Sequence, residues 1–161
     1  MTTDPQTTAW LDQEDAHLAA VIRRTRFAVQ YVGPGDLPTE PPFGYTIGLS
    51  GLGHPELVVV GLDAPATHAL LAAVAGEVLD GRTLVPGELL GRARGRPDLV
   101  VEECPNPGEV LLVANRWYRR PAEHSVPALQ LTWASRAGHF PWDRGWDGGL
   151  HAQPRPGTWT A

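Results

Sequence analysis

Residues 57–61, Leu-Val-Val-Val-Gly, form an aliphatic run with no polar interruption, and that run limits the folds open to the chain more than any other feature. An apolar stretch of this length, with proline before it and glycine at its end, suits a buried, central strand. Upstream, residues 43–49 alternate: Phe43, Tyr45, Ile47 and Leu49 share one side, and Gly44, Thr46 and Gly48 the other. The two segments read as a hairpin whose turn carries His54, Pro55 and Glu56. The nearly bare glycine face has two explanations, close approach of a ligand or close packing of a helix. The sequence weighs them evenly.

Around this hairpin the pattern alternates between helix and strand. Residues 10–26 put Leu11, Leu18, Val21 and Ile22 near one helical face, with acids early and arginines late, as the helix dipole favours. Residues 27–32 are β-rich, and the Pro- and Gly-dense residues 33–42 form a loop. Asp63 stands at an N-cap position and Pro65 in the first turn of a helix that runs over Leu70, Leu71, Val74 and Val78 to Gly81. Residues 82–98 are broken by Gly and Pro into loop or short turns. Residues 99–104 read as strand, 109–118 as helix, and 126–133 as an alternating strand with one face free for polar contacts. Residues from 138 onward form an aromatic, Pro- and Gly-rich loop. The expected fold is α+β: a mixed or mainly antiparallel sheet of about five strands with two or three covering helices. At 161 residues the chain fits a single domain over 1–161, with flexible ends at about 1–9 and 152–161.

Composition narrows the partners. The formal charge of −5 argues against a general binder of nucleic acid, which needs accumulated cationic charge. All thirteen basic residues are arginine, a bias in keeping with GC-rich coding. One cysteine, Cys104, excludes an internal disulfide and a multi-cysteine zinc site and fits a reducing compartment, so cytoplasmic residence is expected. The first ten residues lack the charged start and apolar core of an export signal, and the longest aliphatic run is far short of the roughly 20 residues a membrane helix needs.

Several groups could carry chemistry. Pro55 holds its neighbourhood extended, so His54 and Glu56 can point the same way, and a carboxylate beside an imidazole can orient or charge it for acid-base work. The plainer reading is a structural turn. His17 and His68 fall on expected helices, His124 and His151 in loops, and His139 before the aromatic loop. Residues 92–96, Arg-Ala-Arg-Gly-Arg, form a local basic patch best read as solvated. The deaminase pattern fails because Cys104 stands alone, and no hydrolase, zincin, P-loop or dinucleotide fingerprint occurs. Four of the six tryptophans, Trp133, Trp142, Trp146 and Trp159, fall in the last thirty residues, suiting a lid over the core or the wall of a pocket.

With Phe43–Leu49 and Gly53–Leu62, and later residues 126–133 and 138–143, the chain resembles a bacterial family, domain of unknown function 4262. The resemblance spans about residues 16–154. It implies a small soluble domain and marks Gly44, Tyr45, Gly48, His54, Pro55, Glu56, Gln130, Pro141, Trp142 and Asp143. Where the family often has Trp-Pro-Asp, this chain has Trp133-Ala134-Ser135.

These readings converge on a small-ligand-binding domain whose pocket lies between the His-Pro-Glu turn and the C-terminal aromatic loop. Tyr45, His54 and Glu56 would supply acid-base groups, Gly44 and Gly48 close approach, Gln130 and Asp143 polar contacts, and Trp133 and Trp142 the walls. No metal is expected, and the cofactor is undetermined: a flavin is conceivable, although no phosphate-binding motif supports one. A homo-oligomer is open. The alternative is a non-catalytic regulatory or accessory interaction module, since interfaces concentrate Trp and Tyr.

Overall fold

A computed structural model describes residues 4–94, 96–149 and 152–161. The aliphatic run becomes β3 (Glu56–Val60), every residue of which is buried. On one side it pairs antiparallel with β2 (Phe43–Ile47), Tyr45 facing Val58 and Phe43 facing Val60. On the other it pairs parallel with β6 (Ala128–Trp133), Val58 facing Gln130. With β1 (Ala28–Val32), β4 (Leu89–Leu90) and β5 (Leu99–Glu103) the sheet has six strands in the order β1-β2-β3-β6-β5-β4. All other pairs are antiparallel, so the sheet is mixed, as expected. The additional strand is β4. Two residues between Pro86-Gly87 and Gly91 carry no readable period.

Both faces of the sheet are covered, which is why β3 tolerates no polar side chain after Glu56. On one face, Leu57, Val59, Leu129 and Leu131 pack against Leu70, Leu71, Val74 and Ala75 of α2 (Ala64–Leu79). On the other, Phe43, Tyr45, Ile47, Val58 and Val60 meet Leu18 of α1 (Pro5–Thr25), Ala114 of α3 (Leu112–Trp117) and Trp159 of the tail. Asp63 caps α2 as its position predicts, its carboxylate accepting from the Ala66 amide at 2.9 Å. Residues 5–9 form the start of α1. Within 152–161, Gln153 and Trp159 are buried. Among the described residues no helix is long and apolar enough to cross a membrane.

Gly44 in β2 and Gly48 just past its end both belong to packing. A Cβ on Gly44 would stand 2.5 Å from Thr67 Cγ2 of α2 and 3.1 Å from the Gln30 carbonyl oxygen, so the bare face of β2 is where the helix lies. Gly48 has φ +134°, and its Cβ would meet backbone, 2.5 Å from the Arg26 carbonyl oxygen and 2.9 Å from Phe27 Cα. Gly76 in α2 has no such neighbour within 4 Å. Gly48→Ala is therefore expected to lose about 2–4 kcal/mol of unfolding free energy, whereas Gly76→Ala should gain about 0.5–1 kcal/mol. Urea unfolding of the two variants checks the contrast, and equal effects would contradict it.

Candidate functional site

Beyond Tyr45 the β2–β3 ladder opens, and the Glu56 side chain enters the gap. The Leu57 amide donates to Thr46 Oγ1 at 2.9 Å, and that hydroxyl donates to Glu56 Oε2 at 2.6 Å. The chain then folds over the carboxylate: the amides of Gly48, Leu49 and Ser50 donate to it at 2.9, 3.3 and 3.0 Å as a 3-10 turn begins at Ser50. The Tyr118 hydroxyl, just past α3, donates at 2.8 Å. Successive amides converging on one point make an anion-binding nest, and here the chain supplies its own anion. Burial pushes the Glu56 carboxyl above its ordinary range, opposed by the hydrogen bonds of Thr46, Ser50, Gly48 and Tyr118. At 0 % exposure no substrate reaches it.

His54 turns elsewhere. Its Nε2 accepts from the Leu84 amide at 3.1 Å, so the proton sits on Nδ1, 2.8 Å from the Pro55 carbonyl oxygen that accepts it. Both ring nitrogens are thus committed, and the residue ties the turn to the loop after α2. It borders a hollow of about 340 Å³ with Arg26, Leu52 and Arg82, a hollow that neither Glu56 nor any indole lines. Tyr45 points into the core beside Phe43, and its hydroxyl accepts from the Val113 amide at 3.0 Å. Burial raises its phenol to about 12. Tyr118 is raised too, first by burial and then by the charge of Glu56.

The C-terminal candidates gather at the other end of β3. Trp133 Nε1 donates to the Val60 carbonyl at 2.9 Å, four residues along the strand from Glu56, about 13 Å at a strand's rise. Gln153 mimics a neighbouring strand, accepting from the Trp133 amide and donating to the Trp133 carbonyl, each at 2.8 Å. Gln130 is spent on the same tail: its Nε2 donates to Pro154 O at 3.1 Å and its Oε1 accepts from Trp159 Nε1 at 3.2 Å. The face of β6 expected to be free for polar contacts is therefore closed. Trp142 is 47 % exposed, stacked on Phe140 at 5.0 Å, with the Arg155 guanidinium 4.5 Å from its ring centre. Asp143 closes the turn that presents Trp142, accepting from the Phe140 amide at 2.8 Å.

A shared hollow between the turn and the aromatic loop is not what these positions make. The turn residues and the indoles occupy opposite ends of β3, and side chains of the core fill the length between them. The hollow present at the indole end measures about 390 Å³ and lies between the proline-rich loop and the tail, with Pro41, Pro141, Trp146, Arg155 and Trp159 in its wall. Its contributors from the loop and tail carry no period or motif, and Thr46 and Tyr118, partners of Glu56, carry no signal beyond their residue type. Arg96 of the basic patch is turned inward, bonded to Glu77 at 3.1 Å. Ser135 is buried and its hydroxyl accepts from the His139 amide at 3.2 Å. His17 and His68 sit on α1 and α2, and His124 in a 3-10 turn. His151 lies outside the described residues. Among the described residues no group of three or more His, Cys, Asp or Glu side chains is arranged to hold a metal.

Glu56→Gln replaces one acceptor oxygen with a donor amide inside a cage of donors, and should cost about 2–4 kcal/mol in urea unfolding. A loss below about 1 kcal/mol would show that the nest does not depend on the charge. Alkaline stability follows from Tyr45. The fold favours the neutral phenol, so its contribution is intact below pH 10 and is lost as pH rises to about 12, a fall of about 2–3 kcal/mol. Tyr45→Phe should be less stable near neutrality and flatter over that range, as followed by the denaturation midpoint against pH.

No curated protein and no solved structure matches the chain. A family model does match, over residues 21–147, a stretch that holds the Glu56 nest, β2 through β6 and the Trp142 turn. This chain belongs to the family described as a domain of unknown function, DUF4262.

Proposed function

We propose that this chain is a small-molecule-binding domain whose ligand seat is the hollow between the proline-rich loop and the C-terminal tail, with Gln130 holding its wall through Pro154 and Trp159 and Tyr45, His54 and Glu56 serving the framework at the far end of the sheet. The observation that carries this reading is the wall itself. Proline rings are rigid and indole rings rigid and flat, and a half-open hollow of about 390 Å³ falls within the range of small-ligand sites. Thr39 and Thr158 lie at its rim, where a ligand's polar edge would find hydroxyl partners. Arg155 also lines it, but its charge is already drawn to Glu102 at 2.6 Å and to the Trp142 face. A flat apolar ring with one hydrogen-bonding edge fits this lining better than a strongly anionic molecule. The reading includes a reducing, cytosolic bacterial home, supported by Cys104 being buried and unpaired.

A second reading, an interaction module without chemistry, is favoured by the 47 % exposure of Trp142, since exposed tryptophan beside arginine is characteristic of interface centres. The two separate by experiment. Native mass spectrometry of the protein purified from its host should find a bound small molecule, and titration with single-ring heteroaromatic fragments should shift the Trp159 indole N–H signal in NMR spectra. Trp146→Ala should abolish these shifts with the melting temperature nearly unchanged, and Trp142→Ala should leave them in place. Fragment shifts absent from the hollow, or indifferent to Trp146→Ala, would overturn the ligand seat.

A further inference from the structure

One edge of the sheet is blunted and the other is open. β4 ends the sheet with two residues, too short to template another chain, but β1 ends it with five, Ala28-Val-Gln-Tyr-Val32. An antiparallel strand uses alternate residues on each side, so β1 bonded only to β2 turns the remaining amides and carbonyls outward. Among the described residues no backbone hydrogen bond joins β1 to an element other than β2. Natural edges are protected by charge, proline, a bulge or a cover, and β1 has no charged residue, no proline and an unbroken register. Beside this edge runs a groove of about 670 Å³ between α1 and α2, apolar at its floor through Leu18, Val21, Val29 and Ala69.

We infer that this edge is an interface with a second copy of the chain, β1 pairing antiparallel with its counterpart about a two-fold axis to give one continuous twelve-stranded sheet. Charge on α1 selects this occupant. Arg26 and Phe27 alone separate α1 from β1, so the helix runs back along its strand, and a two-fold through β1 sets two copies of α1 antiparallel. On the side of α1 nearer the groove, Glu14 stands near mid-helix and Arg24 in the last turn; neither has an ion pair among the described residues. Asp15 is held by Arg116 at 2.9 Å. Ala19 lies midway between Glu14 and Arg24, next to Leu18, which shares the groove with Gln30 at the centre of β1. A two-fold passing there sets Glu14 of each helix against Arg24 of the other. It also carries Trp10, 57 % exposed on its own protomer, to the arginine end of the partner helix. An isologous contact of this kind closes on itself.

The test uses the full chain and two variants of the groove side of α1. Arg24→Glu makes this side of the helix acidic at both positions, and Glu14→Arg makes it basic at both. Light scattering should show a dimer for the parent protein, with the dissociation constant raised about tenfold or more in each variant alone. An equimolar mixture of the two variants should regain the dimer, because acid then faces arginine at both ends; a simple folding defect would not be rescued by mixing. Circular dichroism verifies that each variant is folded, and hydrogen exchange of the β1 amides should slow as the parent associates. A parent protein that stays monomeric at every soluble concentration, or variants that associate as the parent does and gain nothing on mixing, would overturn the interface.

Discussion

The Glu56 carboxylate is the point on which the centre of the molecule depends. It takes hydrogen bonds from a β2 hydroxyl, from three amides of the following turn and from the tyrosine beyond α3. The Thr46 hydroxyl and the amides of Gly48 and Leu49 would otherwise be buried without an acceptor. A charged acceptor suits the place better than a neutral one, because one pair of oxygens serves five donors with short bonds. The consequence is mechanical: the opening of the β2–β3 ladder, the turn and α3 are all referred to one group.

From that point outward the sheet is closed on both faces. α2 lies so near β2 that only glycine fits at position 44, and the tail docks on β6 through side chains that imitate backbone. The amide of Gln153 completes the hydrogen bonding of Trp133 as a further strand would, and Gln130 meets Trp159 and Pro154. Polar residues that look like ligand contacts are thus satisfied within the chain. This follows from the rule that buried polar groups need partners, and it leaves rings and loop residues to line the hollow at the indole end.

The family match and the geometry bear on different matters. The match covers the sheet and the nest and carries no activity with it. The hollow draws half its wall from the tail beyond residue 147, outside the matched stretch.

The sequence by itself determined the elements whose pattern is local: the aliphatic β3, the alternation of β2 and β6, and α2 with its Asp63 cap, because side-chain period and capping are decided within a few residues. It also marked Glu56 and the late tryptophans as unusual. It did not reveal β4, which is too short to show a period, nor the seating of residues 152–161, whose partners are twenty or more residues away. Only the tertiary structure decided that His54 and Glu56 part company, one bonding the Leu84 loop and the other the β2–β3 gap. Local spacing allows both side chains to share a side, but the direction each takes is set by distant amides in need of an acceptor, and where those amides arrive is a property of the whole fold.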